Sequence, residues 1–200
     1  MKTQIAVLVS GGGTNLQALM DAQSRGELVS GEIKLVVSNN PGAFALERAK
    51  KAGIESCVIS KKQLGSQQAF EEALAVKLEE KGIRLIVLAG FMSILSAGFT
   101  SKYPKGIINV HPSLIPSFCG EGFYGLRVHE AALRKGVKVT GATIHYVNEI
   151  PDGGEIIDQK AVEVLPGDTP ETLQRRVMEQ AEWILLPRAV EHAAALIQNS

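Results

Sequence analysis

Residues 5–17 read Ile-Ala-Val-Leu-Val-Ser-Gly-Gly-Gly-Thr-Asn-Leu-Gln. The run of Ile, Val and Leu is typical of a buried strand, and the pattern after the glycines is typical of a helix. Short apolar runs continue to alternate with helical patterns as far as Val110. This alternation predicts right-handed βαβ units. It therefore predicts a Rossmann-like α/β fold with a mostly parallel, twisted sheet and helices on both faces.

The order of elements changes after residue 135. Residues 139–147 and 156–164 are strand-like runs, joined by a turn that contains Pro151-Asp152-Gly153-Gly154. They predict an antiparallel hairpin near the C-terminus. A last helix is predicted to begin at Pro170 with Thr169 as its N-cap. Pro187 predicts a kink or a restart within this helix.

Composition limits the classes of function. The 200 residues are 45% hydrophobic and 21% charged, and they contain no linker or repeat, so residues 1–200 are expected to form a single domain. The 21 basic and 21 acidic residues cancel, which disfavours a nucleic-acid partner and favours small-molecule substrates. No signal peptide or membrane segment is recognisable, so we expect a cytoplasmic protein without a membrane partner. Monomer and homodimer both stay open.

Cysteine and histidine spacing gives no indication of a metal. Cys57 and Cys119 lie far apart in the sequence, which suits a reducing compartment and predicts no disulfide. The four histidines show no ligand spacing either. We therefore predict that no metal takes part.

The glycine triplet lies between the first predicted strand and helix. Glycines let the backbone approach an anion closely, and the N-terminus of a helix attracts it. This loop predicts a phosphate site made by Gly12, Gly13, Thr14 and Asn15. The alternative is a tight turn in which residues 14–17 form a capping box.

Two familiar nucleotide-binding motifs do not fit this loop. A dinucleotide fingerprint would need a further glycine at Leu16, and the second strand ends in Asn39-Asn40 instead of the acidic residue that holds a ribose. A Walker A sequence, Gly-Lys-[Ser/Thr], occurs nowhere in the chain. The predicted ligand is therefore a phosphorylated molecule other than NAD or a P-loop nucleotide.

A second motif, residues 109–117, reads Asn-Val-His-Pro-Ser-Leu-Ile-Pro-Ser. It follows a short apolar run, so Asn109 and His111 are expected on one face at the carboxyl end of a strand. An amide and an imidazole there can bind an oxyanion, and the imidazole can also accept a proton. The alternative is an asparagine that caps a loop and a histidine that only packs in the core.

The pattern Asn-x-His-Pro-Ser-Leu-x-Pro resembles the catalytic segment of the folate-dependent formyltransferases. In that family an Asn, a His and a later Asp transfer a formyl group from 10-formyltetrahydrofolate to an amine. Asp152-Gly-Gly resembles the second family motif, although an Asp before two glycines is more often only a turn residue. The resemblance implies a catalytic triad of Asn109, His111 and Asp152. We expect Asp152 to lie within roughly 8 Å of His111 and to raise its pKa.

The resemblance also implies a folate pocket between two loops. Its predicted contacts are Gln67, Met92, Ser93, Ile94, Leu95, Asn109, Asn148, Glu149, Ile150, Pro151 and Asp152. Gln67 stands where members of the family often carry a folate-contacting arginine. Glu155 stands after Asp-Gly-Gly, where proline is usual.

Residues 176–183 resemble the family helix whose glutamate contacts the amine substrate. Glu182 is the best match, and Glu179 is the alternative. With the glycine loop, this order of motifs most resembles the members that formylate glycinamide ribonucleotide in purine biosynthesis.

Three other functions are compatible with parts of this pattern. Deformylases share the fold but add an N-terminal regulatory domain, and tRNA-formylating members add a basic C-terminal domain, so a 200-residue chain disfavours both. A non-catalytic phosphate-binding module would not require Asn109, His111 and Asp152 together.

Overall fold

A computed structural model describes residues 1–199 as a seven-stranded sheet flanked by helices. The strands are β1 (Thr3–Val9), β2 (Gly31–Ser38), β3 (Glu55–Val58), β4 (Ile83–Leu88), β5 (Ile107–His111), β6 (Val139–Tyr146) and β7 (Ile156–Glu163). The helices are α1 (Thr14–Ser24), α2 (Phe44–Lys51), α3 (Lys61–Leu64), α4 (Gln67–Glu80), α5 (Ala97–Thr100), α6 (Leu126–Lys135), α7 (Pro170–Val177) and α8 (Trp183–Gln198). Within residues 1–199, no helix has both the length and the apolar character that crossing a membrane requires.

The sheet has a parallel part and an antiparallel part. Its spatial order is β3-β2-β1-β4-β5-β6-β7. All neighbours from β3 to β5 pair in parallel, whereas β6 pairs antiparallel with both β5 and β7. The structure confirms the predicted α/β fold and the C-terminal hairpin.

Strand β1 lies in the middle of the core and is covered on both faces. Ile5, Val7 and Val9 pack with residues of α1 and α8, and Ala6 and Leu8 pack with residues of α4. All five side chains are fully buried. Burial on both faces explains why the strand is a continuous apolar run instead of an alternating one.

The turn between β1 and α1 does not contain the capping box that was the alternative to a phosphate site. Gly13 precedes the helix in the left-handed conformation, with φ of 71°, and no side chain caps the helix. Thr14 is the first helical residue, and its hydroxyl lies 3.8 Å from the sulfur of Met178. A Cβ atom on Gly13 would lie 2.6 Å from the Cβ of Ala45, so glycine is needed there for both conformation and space.

The C-terminal helical region is divided at a different place from the predicted one. The Thr169 side chain caps α7 and Pro170 is its first residue, as predicted. Of the predicted kink or restart at Pro187, the restart is wrong, because a π-helical turn over Met178–Glu182 follows α7 and α8 runs from Trp183 through Pro187. Pro187 offers no N–H to the carbonyl of Trp183, and the wide turn lies directly before that point.

Candidate active site

A cleft of about 680 Å³ opens at the carboxyl ends of β1, β4 and β5. Asn109 and His111 line one side of it, and Asp152, Asn15 and Glu182 also contribute to its wall. Ligands of open α/β sheets bind at this edge, because loops from several parallel strands meet there. The cleft therefore brings together side chains from the first turn of α1, the Asn-x-His motif, the hairpin turn and the C-terminal helical region.

His111 is the last residue of β5 and is only 4% exposed. Its Nε2 lies 2.9 Å from the carbonyl oxygen of Phe118, which can only accept, so Nε2 carries the proton of the neutral ring. Nδ1 then holds the lone pair, and it lies 3.5 Å from Oδ2 of Asp152. The proton-accepting atom of His111 is therefore Nδ1.

Burial determines the protonation of His111 in the free protein. Burial lowers its pKa more than the Asp152 carboxylate and the Phe118 carbonyl raise it, so the net pKa is below the ordinary value. Asp152 does raise the pKa of His111 as expected, but burial outweighs it, so the net pKa is not raised. A lowered pKa keeps Nδ1 free to accept a proton at neutral pH.

Asp152 occupies the hairpin turn in a conformation that L residues rarely adopt, with φ of 55°. A side chain on Gly154 would overlap the carbonyl oxygen of Tyr146, which accounts for the glycine in the motif. The Asp152 side chain is 13% exposed, and its Oδ2 accepts a hydrogen bond of 2.8 Å from the Gly120 N–H. It therefore points into the cleft, which turn geometry alone does not require.

The Asp152 carboxyl is held in its ionised form. Burial would raise its pKa, but the charge of His111 and the N–H of Gly120 contribute to a net pKa below the ordinary value. An ionised carboxylate 3.5 Å from Nδ1 can stabilise an imidazolium. Together with the Asn109 amide, the wall offers a hydrogen-bond donor, a proton acceptor and a compensating negative charge.

A narrower pocket of about 140 Å³ lies between the end of β4 and the hairpin turn. It brings together all of the predicted folate contacts except Gln67 and Met92. Its wall also includes residues that the motifs did not indicate, namely Leu88, Phe91, His145 and Val147. Phe91 and Val147 are partly buried residues that pack on the core, and hydrophobicity alone does not distinguish them from other core side chains.

The two remaining folate candidates lie elsewhere. The Gln67 amide donates 2.6 Å and 3.0 Å hydrogen bonds to Glu71 and to the carbonyl oxygen of Ile94. Gln67 thus supports the pocket wall from outside, where it also lines a separate surface pocket. Met92 is 54% exposed and lines the larger cleft.

Glu182 ends the π-helical turn and is only 6% exposed. Its Oε2 accepts a 2.6 Å hydrogen bond from the Asn15 amide, and burial raises its pKa to about 7 despite that bond. Glu179 instead lies at the surface, 3.2 Å from Arg175. Between the two candidates, only Glu182 lines the cleft.

The rest of the predicted phosphate loop has a different environment. A Cβ atom on Gly12 would meet no atom within 4 Å, so the backbone there is open to an anion. Arg48 of α2 donates a 2.8 Å hydrogen bond to the Gly12 carbonyl, and it lines a neighbouring pocket of about 300 Å³ together with Thr14. No sequence motif indicated Arg48, because only the fold brings α2 beside the loop.

The histidines outside the triad have different environments. His129 is fully buried, and neither ring nitrogen has a hydrogen-bond partner among residues 1–199. Burial and the charge of His111 lower its pKa to about 4. His192 is exposed on α8. His145 is 2% exposed and contacts both Asn109 and Asp152.

Comparisons with known proteins show the family to which the chain belongs. Residues 3–190 match the family model described as formyl transferase. The trifunctional purine biosynthetic protein adenosine-3 of Gallus gallus is 47% identical over 194 residues, which are 97% of this chain and 19% of that protein. The chain thus spans about a fifth of the length of this trifunctional relative.

Two further similarities cover most of both chains. The phosphoribosylglycinamide formyltransferase of Haemophilus influenzae is 38% identical over 188 residues, which are 94% of this chain and 85% of that protein. The crystal structure of glycinamide ribonucleotide transformylase 1 from Symbiobacterium toebii has a TM-score of 0.90 and 40% identity. That match covers 97% of this chain and 88% of the other.

Proposed function

The chain belongs to the formyl transferase family, and from this premise we propose that it transfers a formyl group from 10-formyltetrahydrofolate to the amine of 5'-phosphoribosylglycinamide. Residues 1–200 would act as one formyltransferase domain in purine biosynthesis. The observation that carries the proposal is the arrangement of Asn109, His111 and Asp152 in one cleft with Asn15 and Glu182. The names of the similar proteins support the same substrates.

Transfer begins with attack of the substrate amine on the formyl carbon. A C–N bond forms, and the formyl oxygen becomes an oxyanion that accepts a hydrogen bond from the Asn109 amide. The proton lost by the amine passes to Nδ1 of His111, directly or through a water molecule. The Asp152 carboxylate, 3.5 Å from Nδ1, stabilises the resulting imidazolium.

Collapse of the intermediate completes the reaction. The oxyanion re-forms the carbonyl, the bond between the formyl carbon and N10 of the folate breaks, and Nδ1 of His111 returns its proton to N10. His111 thus ends in its starting form, and atoms and charge balance without a metal or a redox step. Because burial lowers its pKa, the ring releases this proton readily.

The two substrates would occupy the two ends of the site. The open backbone at Gly12 and the N-terminus of α1 suit the phosphate, with Arg48 adding positive charge beside the loop. Asn15 and Glu182 would contact the glycinamide end of that substrate, close to the reacting amine. The folate would lie in the narrower pocket, between the Ser93–Leu95 and Asn148–Asp152 walls.

Product analysis tests the proposal. The protein is incubated with 10-formyltetrahydrofolate and phosphoribosylglycinamide, and the formylated ribonucleotide is measured by mass spectrometry. Glycinamide riboside, which lacks the phosphate, serves as the matched control and is expected to react far more slowly. Equal rates with both amines would contradict phosphate binding by the glycine loop. Absence of any formylated amine would contradict the proposed function.

A further inference from the structure

His145 is a buried histidine that the proposed transfer does not use. It lies on β6 directly opposite Asn109 of β5, in an antiparallel pair. Its Nε2 is 3.1 Å from Nδ2 of Asn109 and 3.6 Å from Oδ1 of Asp152. With 2% exposure, its ring contacts both polar groups away from bulk water.

The other ring nitrogen fixes the tautomer of His145. Nδ1 lies 2.8 Å from the carbonyl oxygen of Tyr146, which can only accept, so Nδ1 carries the proton. In the neutral ring, Nε2 then holds a lone pair and accepts one N–H of the Asn109 amide. The Asn109 amide has a second N–H, which is free to donate elsewhere.

We propose that His145 is a positioning residue, which holds the Asn109 amide so that its second N–H points to the formyl oxygen in the cleft. This inference rests on the proposed function. Without an acceptor at His145, the Asn109 side chain can turn and present its carbonyl oxygen to the developing oxyanion, which repels it. Because the interaction strengthens only as negative charge develops, His145 acts on turnover more than on substrate binding.

A competing role for His145 would be to support Asp152. That role would require a proton on Nε2, which would donate to Oδ1 of Asp152 across the 3.6 Å contact. The same proton would face the Asn109 amide, and Asn109 would then have to turn its oxygen to His145. The two roles therefore differ in whether Nε2 of His145 carries a proton, and they predict opposite orientations of Asn109.

The tautomer is measured by long-range ¹H–¹⁵N NMR of the uniformly labelled full-length protein at neutral pH. The chain has four histidines, and the His145 signals are identified by their loss in His145→Gln. We expect Nδ1 to be protonated and Nε2 to carry the lone pair. A proton on Nε2 would overturn the proposal. This readout needs no activity, so it separates failure of the inference from failure of the proposed function.

Steady-state kinetics then test whether His145 acts through Asn109 or through Asp152. His145→Phe keeps an aromatic ring but removes the Nε2 acceptor. We expect kcat to fall by about ten- to a hundred-fold, with KM values little changed. His145→Gln offers an amide oxygen to Asn109 and should recover most of that loss. Each variant is also made in Asn109→Ala and Asp152→Asn backgrounds.

The double-mutant cycles have opposite expected outcomes. In the Asn109→Ala background, His145→Phe should cause almost no further loss of kcat, whereas its effect should persist in Asp152→Asn. An undiminished effect with Asn109→Ala, or loss of the effect only with Asp152→Asn, would overturn the proposal. If His145→Phe fails to fold, the protonation of the His145 ring measured by NMR and the kinetics of His145→Gln still test the proposal.

Discussion

The glycine loop and the catalytic wall lie at the same edge of the sheet, but they are built from different parts of the chain. The glycine loop follows β1 and presents backbone, with open space at Gly12. The catalytic wall, made by Asn109, His111, Asp152 and Glu182, presents polar side chains largely shielded from solvent, and His111 and Asp152 lie 3.5 Å apart. The first is suited to bind a fixed negative charge, and the second is suited to respond to a charge that appears during reaction.

This difference has an energetic consequence. A backbone anion site keeps its donors without placing an ionisable side chain in the interior. The catalytic wall contains buried groups whose pKa values are shifted, including His111 downward and Glu182 to about 7. We therefore expect substitutions in the wall to change turnover or pH dependence, and substitutions in the open part of the loop to change substrate affinity.

The largest effect is expected in the catalytic wall. Asn109→Ala removes an oxyanion donor and should lower kcat by about a hundred- to a thousand-fold, and His111→Ala should cost about as much or more. KM for both substrates should change far less, because these contacts strengthen in the transition state. Steady-state kinetics test this. A variant that keeps near-normal turnover would remove its residue from the proposed mechanism.

A smaller effect, on stability, is expected from Glu182. Its folded-state pKa is about 7 against an ordinary value of 4.5, so folding is penalised as pH rises from about 4.5 to 7, because only the unfolded chain loses the proton there. The penalty is roughly 3 kcal/mol above pH 7. Glu182→Gln keeps an acceptor for Asn15 and should be stabilised at pH 8 by an amount of that order.

Urea unfolding at pH 4 and pH 8 measures this difference. At pH 4 the wild-type protein and Glu182→Gln should be similarly stable, since the carboxyl is protonated in both folded and unfolded chains. Equal stability at both pH values would show that Glu182 is not held neutral in the cleft.

The smallest effect is expected in the glycine loop. Gly12→Val adds a side chain where the backbone is open, and it should raise KM for phosphoribosylglycinamide by roughly tenfold, the value of one charge-assisted hydrogen bond. Folate binding and Tm should be retained. The matched control is Gly13→Ala, which should lower Tm because Gly13 has a φ of 71° and Ala45 leaves no room. An equal loss of affinity for both substrates in Gly12→Val would contradict the proposal that the glycine loop binds the phosphate.

The sequence predicted the elements that carry strong local signals. Alternating apolar runs indicated the sheet, and Pro170 with Thr169 located the start of α7. The π-helical turn at Met178–Glu182 was not predicted, because it differs from an α-helix by a single wider turn without a distinct residue pattern. The resemblance already favoured Glu182 over Glu179, and of the two only Glu182 lines the cleft.

Contacts between residues that are distant in the sequence could not be predicted either. The family motifs named Asn109, His111 and Asp152, but the net direction of the His111 pKa depended on burial, which no motif encodes. Arg48 and His145 likewise gain their contacts through strand and helix packing across the fold. Residues that act by position are therefore harder to predict than residues that belong to a motif.

The most direct test asks whether the two regions work together in one transfer. The release of deformylated folate from 10-formyltetrahydrofolate is measured with and without phosphoribosylglycinamide, and formate is assayed in parallel. We predict rapid release only with the ribonucleotide, matched by formylated ribonucleotide and without formate, because the glycine loop and Glu182 position the attacking amine. Equally fast release in both reactions, with stoichiometric formate, would show a hydrolase and contradict the account.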